Sequence, residues 1–572
     1  MHLGIDFGTS YTKLGYWETA GFVNLAGEGN RIPSVATWLP SKNRLYFGEL
    51  ALRLNEPGAE TARFFKLALK RNPGFCLGPF TLPVIIHQFF SFLEEQFISS
   101  QGITADSITL SVPNYFGLNP RHILLEAARQ AFTGARIFLL PEPLAAVYGY
   151  NRAHPQDPLQ GDILSIDVGG GTTDFSIVRI LQDNRDIILE TQFQIGNDAF
   201  SGSEIDRGVL HNILLPGFHM QTGMEVPEAL FNEKFRDGDE KSSYNRLLEL
   251  AEKVKIELGE KDHLYLNIPD FLGQNSLVID IDRDLFTWQL INVYERFKTF
   301  FEQSVVNRAK HLNLHNGQRW ELDHVFLQGG ASQSRGLTEL AGQLCKGISL
   351  LCPDDPEFNV MKGLSAWNPA ERQAAGSLKS IYPFNFYIEK MNPGDAEAAL
   401  EKIPFDTANL ELDVRGRYKI FSFPLDSGYN LAVDANKVRF KIYEVEEDDL
   451  YAELARFQGQ DLVWHMETQA EGLPEYIEIY LDLAHSRLES NLSPDSQDYH
   501  QPETHSIFGN YNSRQRAAWQ LIKSYKPANQ DLVDDFGSHL SKVEKNIDIS
   551  DLDYTETVLY KVLCLLDFLI PG

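Results

Sequence analysis

The sequence predicts an α/β fold built as two similar lobes, followed by a mainly β domain and a C-terminal helical region. The first observation is a duplication: LGIDFGTSYTKLGYW at 3–17 superimposes without a gap on LSIDVGGGTTDFSIV at 164–178. A repeat separated by 161 residues indicates two lobes of similar construction. Strand and helix periods alternate up to about residue 378, and strand periods dominate from 381 to 492.

Size and charge restrict the class of protein. At 572 residues the chain is long enough for three or four domains, and its formal net charge of −28 argues against nonspecific binding to nucleic acid or anionic membrane. We expect no secretory signal, because the first residues enter a strand without a basic region and a long apolar run. We also expect no membrane span, because the apolar run at 559–569 is interrupted by Lys561 and Asp567. The cysteines lack zinc or redox spacing and predict buried thiols of a cytoplasmic protein: Cys76, Cys345, Cys352 and Cys564.

Each copy of the repeat predicts a β-hairpin with a carboxylate, Asp6 or Asp167, at its mouth. A dinucleotide-binding glycine loop would have to open a helix, and no Gly-Lys-Ser/Thr follows as in a P-loop. The turns offer backbone amides and hydroxyl groups to an anion, from Gly8, Thr9, Ser10, Gly169, Gly170, Gly171, Thr172 and Thr173. Two facing hairpins would hold the phosphates of a nucleotide, with a metal ion offsetting the carboxylates. An ordinary pair of glycine turns is the alternative.

The rest of the first lobe contains two candidate site residues. The segment ARFFKLALKR predicts a helix, on which Lys66 is either a solvated lysine or a site residue. A later helix is predicted to begin with Asn119 as its cap and Pro120 as its first residue. In FLLPEPLAAVYGY, Glu142 lies in the first turn of a proline-capped helix, where the helix dipole alone would favour it.

The second lobe follows a polar connection at 151–161 and contributes three further segments. The first segment is FQIGNDAFSGSEIDRGV, in which Gly202 is a candidate ligand contact. The second is the helix predicted over 244–258, which carries Glu252 and Lys255 on one face, either as ligand contacts or as a surface ion pair. In HVFLQGGASQSRG a strand, a double-glycine turn and a helix starting near Ser334 would place amides beside a ligand, unless the glycines serve packing alone.

The C-terminal part predicts a different architecture. RYKIFSF, VRFKIYEV and YIEIYLDLA each have the period of a half-buried strand, which indicates a β domain over 381–492. A polar linker at 491–504 then leads to helices predicted at 513–525 and 551–569, within a helical region over 505–572.

In combination, these motifs resemble the seventy-kilodalton heat-shock chaperone family of the actin and sugar-kinase superfamily, over about two thirds of the chain. The resemblance implies a two-lobed actin-like ATPase domain over 1–378, with lobes at 1–150 and 162–378 and with the duplicated hairpins as phosphate loops. It implies that Lys66 reaches the γ-phosphate and the attacking water, and that Glu142 lies near metal-bound waters. The implied catalytic residues are Asp6, Lys66, Glu142, Asp167 and Thr172.

The resemblance also implies how ATP or ADP and Mg²⁺ are held. The implied metal residues, acting largely through water, are Asp6, Asp167 and Asp174. The implied nucleotide-binding residues are Gly8, Thr9, Ser10, Tyr11, Gly169, Gly170, Gly171, Thr173, Gly202, Glu252, Lys255, Gly329, Gly330, Ala331 and Gln333. Adenine selectivity is an open question, because the family's stacking arginine and its neighbouring serine are here Ile256 and Gly259.

The function implied by the resemblance is that of a chaperone whose slow, Mg²⁺-dependent ATP hydrolysis controls polypeptide binding by the C-terminal region. The alternatives are a nucleotide-binding interaction module with little turnover and a small-molecule kinase of the same superfamily. A J-domain protein or a nucleotide-exchange factor is a weaker expectation. The family's leucine-rich interdomain linker is absent, and the residues that replace polar ones of its J-domain contact are Phe138, Pro141 and Leu144.

Overall fold

The computed structural model describes the chain from Met1 to Ser490 with internal gaps. Those gaps are 20, 27–30, 55, 73, 114–115, 184–185, 198–199, 234–237, 274, 317–318, 354, 369–384, 391–398, 405–416, 425–427, 430, 435–436, 446–461, 470–475 and 484. The predicted linker at 491–504, the predicted helices beyond it and Cys564 lie outside the described residues.

Lobe I consists of the elements from the first hairpin to the helix that starts at Glu142. Its strands are β1 (His2–Phe7), β2 (Tyr11–Glu18), β3 (Gly21–Asn24), β4 (Ile32–Pro33), β5 (Val35–Leu39), β6 (Arg44–Phe47), β7 (Glu60–Arg63), β8 (Cys76–Leu77), β9 (Phe80–Thr81), β10 (Ser107–Val112) and β11 (Arg136–Pro141). Its helices are α1 (Gly48–Arg53), α2 (Phe65–Arg71), α3 (Leu82–Leu93), α4 (Leu118–Ala131) and α5 (Glu142–Ala153).

Lobe II contains the second hairpin and has its own hydrophobic core. Its strands are β12 (Gly161–Val168), β13 (Thr173–Asp183), β14 (Asp186–Asn197), β15 (His263–Leu272), β16 (Asn275–Asp282), β17 (His324–Gln328) and β18 (Ser349–Leu351). Its helices are α6 (Gly202–Val209), α7 (Leu215–Thr222), α8 (Ala229–Asn232), α9 (Gly238–Glu260), α10 (Arg283–Gln289), α11 (Ile291–Phe300), α12 (Val306–His311) and α13 (Arg335–Leu344). Helix α14 (Asn359–Ala366) follows in the chain and packs against β1, β2 and α5 of lobe I.

The main sheets of the two lobes have the same construction. In lobe I the strand order is β11-β10-β1-β2-β3, with β4 also paired to β2, and in lobe II it is β18-β17-β12-β13-β14. The first strand of each hairpin, β1 or β12, is antiparallel to the second strand and parallel to the neighbour on its other side. The duplication predicted from the repeat is therefore confirmed at the level of strand order, in a mixed α/β fold.

Two helices cross closely between the sheets. A Cβ atom on Gly363 of α14 would overlap the carbonyl oxygen of Ala145 in α5, and one on Gly149 of α5 would overlap that of Asn359. The apolar residues around this crossing come from both sheets, including Leu140 of β11 and Ile163 of β12. The glycines therefore let the backbones of α5 and α14 approach closely at this crossing.

A third group of strands forms the β domain. These strands are β19 (Asn385–Lys390), β20 (Ala399–Ile403), β21 (Tyr418–Pro424), β22 (Ala432–Asp434), β23 (Lys437–Val445), β24 (Leu462–Gln469), β25 (Tyr476–Asp482) and β26 (Arg487–Ser490). They form one sheet around β19 and β23 and another with the order β21-β25-β26. The three strands predicted from their period are thus confirmed as β21, β23 and β25. The core of this domain also includes Leu118 of lobe I.

Some sequence expectations are wrong in detail. Helix α4 begins at Leu118 with Gly117 as its cap, so neither Asn119 nor Pro120 has the predicted position. The thiols of Cys76 and Cys352 are exposed, whereas Cys345 is buried as expected. Among the described residues, no helix is both long enough and apolar enough to cross a membrane.

Candidate functional site

The two hairpins have matching registers. Asp6 lies directly opposite Lys13 across the β1–β2 hairpin, and Asp167 lies directly opposite Asp174 across the β12–β13 hairpin. In each second strand a threonine is fully buried and anchors the hairpin by its hydroxyl group. Thr12 Oγ1 lies 2.9 Å from Ser34 Oγ, and Thr173 Oγ1 donates to the carbonyl of Phe200 at 2.8 Å. Thr173 is thus an anchor of the second turn and points away from it.

The turns of the hairpins face each other. A Cβ atom on Gly170 would overlap Ser10 Oγ, and one on Gly171 would overlap the side chain of Thr9. A hydrogen bond fixes each turn: the Ser34 hydroxyl donates to the Gly8 carbonyl at 2.8 Å, and the Gly169 amide donates to the Thr172 carbonyl at 2.9 Å. The two turns therefore face each other as expected, while the amides of Gly8 and Gly169 donate to carbonyls within their own turns, those of Asp6 and Thr172.

Two glycine-containing segments complete the surroundings of the second turn. The amide of Gly202 donates to the Gly169 carbonyl at 2.8 Å, and Ser203 donates likewise to Gly170. Gly329 has a φ of +84°, and a Cβ atom there would overlap an oxygen of Asp167. The short helical turn Gly330–Gln333 follows, which includes the predicted residue Ala331.

Lys66 is a buried residue of this site. Its Nζ donates to Glu142 Oε1 at 2.8 Å, and only 3% of its side chain is exposed. The ammonium also lies 5.6 Å from the ring centre of Phe7 and 6.0 Å from that of Phe116. The alternative of a solvated lysine is therefore wrong, and Glu142 does more than complement a helix dipole.

The carboxylates of the second hairpin are close to other negative charges. Burial raises the pKa of Asp167 to about 7, and the charges of Glu142 and Asp6 act in the same direction. Burial, together with Glu142 and Asp167, raises the pKa of Asp174 well above its ordinary value. A site with this much uncompensated negative charge is suited to a cation.

The carboxylates fit a magnesium ion bound through water. Asp174 Oδ2 accepts from Thr172 Oγ1 at 3.2 Å, whereas Asp174 Oδ1 is buried and lacks a hydrogen-bond partner. Within the described part of the chain, no three carboxylate, imidazole or thiol groups meet as direct metal ligands. Mg²⁺ usually keeps several of its waters, so an unpartnered carboxylate oxygen near Asp6 and Asp167 matches its chemistry.

The two candidate site residues of helix α9, Glu252 and Lys255, contact different partners. Glu252 accepts from the Tyr11 hydroxyl at 3.1 and 3.2 Å, a bond between the lobes. Lys255 Nζ lies 2.6 Å from Asp206 Oδ1 and donates to the Gly202 carbonyl at 3.3 Å. The alternative in which Glu252 and Lys255 form a surface ion pair with each other is therefore wrong. The contacts of these two residues with ribose and adenine stay predictions.

The end of α9 meets the third segment. A Cβ atom on Gly259 would lie 3.5 Å from the Gln333 carbonyl, and Ile256 nearby is 37% exposed. The structure thus brings the end of α9 close to the turn that contains Gln333.

Two cations at the site were not among the residues predicted from the sequence. Lys13 Nζ lies 3.1 Å from Asp6 Oδ2, while Asp6 Oδ1 accepts from Ser111 at 3.0 Å. The guanidinium of Arg31 lies 4.2 Å from the ring centre of Tyr11 and 3.8 Å from Glu357. Lys13 had a signal in the sequence, because the repeat aligns it with Asp174.

Comparison with known proteins agrees with this geometry. A family model described as Hsp70 protein matches residues 84–341. The chain is 26% identical over 352 residues to the chaperone protein DnaK of Elusimicrobium minutum (strain Pei191), across 58% of this chain and 51% of that protein. The chain thus spans about half the length of this curated relative. The matched segment includes the second hairpin, Glu142 and α9, and over this segment the chain is similar to the Hsp70 family.

Proposed function

We propose that this chain binds ATP with Mg²⁺ between its lobes and hydrolyses it slowly, as a chaperone-type switch with an actin-like ATPase domain. Hsp70 family members are ATPases. The observation that carries the proposal is the pair of hairpins with matching register, whose turns face each other beside the buried Lys66–Glu142 pair. The common strand order of the two sheets supports lobes at 1–150 and 162–378.

The turns form the proposed phosphate cradle. Backbone amides in a glycine-rich turn and nearby hydroxyls stabilise phosphate oxygens without any rearrangement at the moment of reaction. The residues with this role are Gly8, Thr9, Ser10, Gly169, Gly170, Gly171 and Thr172. When bound, Mg²⁺ supplies positive charge to the phosphates, and the residues that would hold it through water are Asp6, Asp167 and Asp174.

Hydrolysis requires a cation beside the transferred phosphoryl group and a group that positions or deprotonates water. Lys66 provides the cation, and Glu142 holds the Lys66 ammonium in place at 2.8 Å. Asp167 is one candidate acceptor for the proton of the attacking water, and burial raises the pKa of its carboxyl group. Thr172, which bonds to Asp174, is the alternative relay for this proton.

The nucleoside end is proposed to lie between α9 and the turn after β17. Glu252 and Lys255 would contact the ribose and base, with the backbone of Gly202, Gly329 and Gly330 close by. The base would then meet Ile256 and the segment of Ala331 and Gln333, which makes purine selectivity a property to measure.

The β domain is proposed to bind a polypeptide client. It consists of two sheets with a shared apolar core, and this core extends to Leu118 of lobe I. The curated relative carries the name of a chaperone protein, and this agrees with a polypeptide as ligand. Control of the client by ATP is part of the proposal.

The test is single-turnover ATP hydrolysis with Mg²⁺, alongside calorimetric measurement of ATP binding. We expect Lys66→Ala and Asp167→Asn to bind ATP but to lose hydrolysis by about 10²-fold or more, because charge stabilisation and proton transfer are removed. Lys70→Ala, in the same helix, is the matched control and should hydrolyse ATP like the natural chain.

Other outcomes point to other functions. Tight binding without hydrolysis in the natural chain would replace the switch with a nucleotide-stabilised interaction module. Phosphorylation of a sugar or sugar acid would favour a small-molecule kinase. Absence of ATP binding would refute the proposal.

A further inference from the structure

The ammonium group of Lys66 is held by aromatic rings as well as by a carboxylate. Its Nζ lies over the faces of two rings, 5.6 Å from the centre of Phe7 and 6.0 Å from that of Phe116. A cation within about 6 Å of a ring face is attracted by the ring quadrupole, most strongly where water is excluded. Because only 3% of the Lys66 side chain is exposed, these contacts are of the strong, desolvated kind.

Phe7 belongs to the first hairpin itself. It is the last residue of β1, between Asp6 and Gly8, and it lies directly opposite Thr12 on β2. Its ring is therefore attached to the strand that leads into the first turn. Glu142, the other group that holds Lys66, is the first residue of α5. The two contacts thus connect the ammonium group to two different elements of lobe I.

The ring of Phe7 is fixed by its neighbours. Phe7 is fully buried, and its ring centre lies 5.9 Å from that of Phe65, 5.6 Å from that of Phe89 and 5.3 Å from that of Phe90. Close-packed interiors of this kind hold side chains in defined rotamers. The ring face that Lys66 contacts is therefore in place before any ligand binds.

The backbone that carries Lys66 is constrained as well. Phe64, directly before α2, has a φ of +59°, a left-handed conformation that is rare for a bulky residue. Such residues persist only where the surrounding structure holds them, and they cluster at functional sites. A Cβ atom on Gly171 would lie 3.4 Å from Leu67 Cδ1. The strained start of α2 thus places Lys66 on a helix that borders the second turn.

A ring and a carboxylate hold an ammonium group in different ways. The carboxylate of Glu142 offsets the positive charge, whereas the ring of Phe7 is neutral and accepts no proton. Among the described residues, Glu142 is the one acceptor and the one ion-pair partner of Lys66. Phe7 therefore adds a second point of attachment without reducing the charge that Lys66 presents to a phosphoryl group.

We propose that Phe7 is a positioning residue for ATP hydrolysis, whose ring face holds the Lys66 ammonium against the first hairpin by a cation–π contact. This inference rests on the proposed function, in which Lys66 supplies the cation beside the transferred phosphoryl group. Phe7 acts through Lys66 and takes no part in the chemistry itself. Weakening the contact should therefore lower hydrolysis more than ATP binding, because the turns that hold the phosphates are unchanged.

Graded fluorination of Phe7 tests the contact with little change in shape, because fluorine weakens the ring quadrupole. The full chain is prepared with 4-fluoro-, 3,5-difluoro- or 3,4,5-trifluorophenylalanine at this position. We expect the single-turnover rate constant for ATP hydrolysis to fall with each added fluorine, by about two- to thirtyfold over the series, while the Kd for ATP changes by less than about twofold. The same series at Phe89, which packs against Phe7, is the matched control and should show no such trend.

A double-mutant cycle supplies a measurement that does not depend on hydrolysis. In urea denaturation, trifluorination of Phe7 should raise the unfolding equilibrium constant of the natural chain by about two- to thirtyfold. In Lys66→Met, which keeps the length of the side chain but removes the charge, this effect should be lost. In Lys66→Arg, which keeps a cation, it should persist. Circular dichroism of each variant checks that it folds.

Two results would overturn the inference: a hydrolysis rate that is independent of fluorination at Phe7, or the same effect of fluorination on stability in Lys66→Met as in the natural chain. Failure of the natural chain to hydrolyse ATP would instead count against the proposed function. The stability cycle would still decide, in that case, whether the ring holds the ammonium group.

Discussion

Glu444 of the β domain accepts, through its Oε1 atom, a hydrogen bond of 2.9 Å from the backbone N–H of Leu118 in lobe I. Leu118 is the first residue of α4, and Gly117 before it has no side chain to cap the helix. Free N–H groups at a helix start favour an anion. Since Phe116, two residues earlier, lies 6.0 Å from the Lys66 ammonium, the β domain and the site lysine contact the same short segment.

Glu444→Ala should lower the free energy of unfolding by about 1–3 kcal/mol, because it removes a buried acceptor from an N–H at a helix start. Glu444 itself is 5% exposed. Urea denaturation followed by circular dichroism measures the change. Glu401→Ala is the control: its carboxylate is 41% exposed and pairs with Lys390 at the surface, so its effect should stay below about 1 kcal/mol. Equal losses of unfolding free energy in the two variants would mean that the contact of Glu444 with α4 stabilises the protein no more than a surface ion pair does.

The same interface should respond to pH through His122. Burial lowers the pKa of His122 below 6.5, with Arg129 and Arg487 acting in the same direction and with Glu126 and a hydrogen bond to the His485 carbonyl opposing them. Below pH 6.5 the unfolded chain therefore binds more protons at this residue than the folded one, so stability falls as the pH drops through 6.5 and levels off below the folded pKa.

The measurement is urea denaturation of the natural chain and of His122→Gln between pH 5 and 8. The difference in unfolding free energy between the two proteins should change across this range, in favour of the variant at low pH. A difference that is independent of pH would show that His122 titrates alike in the folded and unfolded chains. The comparison is needed because other histidines, such as His211, also have a lowered pKa.

The sequence predicts local features of this protein well and distant pairings poorly. The hairpins follow from a repeat that carries its own strand period, and the register match of Asp6 and Asp167 follows from the same pattern. By contrast, Tyr11 and Glu252 are 241 residues apart, and no local pattern predicts that this glutamate bonds to the other lobe.

The start of α4 shows why a correct local rule can fail. Asn119 and Pro120 have good cap and first-turn chemistry, yet the helix starts earlier, at Leu118. The acceptor that satisfies this start is Glu444, which is 326 residues away. Tertiary contacts of this kind override propensity, and they are visible only once the β domain is in place.

Arg63 and Glu249 form a second link between the lobes, and we expect them to slow nucleotide release. Arg63 Nη2 lies 2.5 Å from Glu249 Oε1, and Glu249 precedes Glu252 by one helical turn on α9. Partly exposed pairs contribute about 0.2–1 kcal/mol, so Arg63→Ala should speed ADP dissociation by about 1.4- to 5-fold. Stopped-flow release of a fluorescent ADP analogue measures this rate.

A double-mutant cycle isolates the pair. If the ion pair holds the lobes together, Glu249→Ala should have little further effect in the Arg63→Ala background. Independent, additive effects would show that the two side chains act on release separately. Neither result depends on whether hydrolysis is fast or slow.

The crossing of α5 and α14 should be the most sensitive part of the fold to a single added methyl group. A Cβ atom on Gly363 would overlap the carbonyl oxygen of Ala145, a backbone atom that cannot rotate away. Gly363→Ala should therefore lower the free energy of unfolding by about 1–3 kcal/mol or more. Gly342→Ala is the matched control within α13: its Cβ would lie 3.7 Å from Leu350, and helix propensity alone should stabilise it by up to about 1 kcal/mol. Opposite signs for the two variants in urea denaturation are the expected result. Equal tolerance would mean that the helices can separate, in which case the approach of α5 to α14 would not hold the hairpins in place.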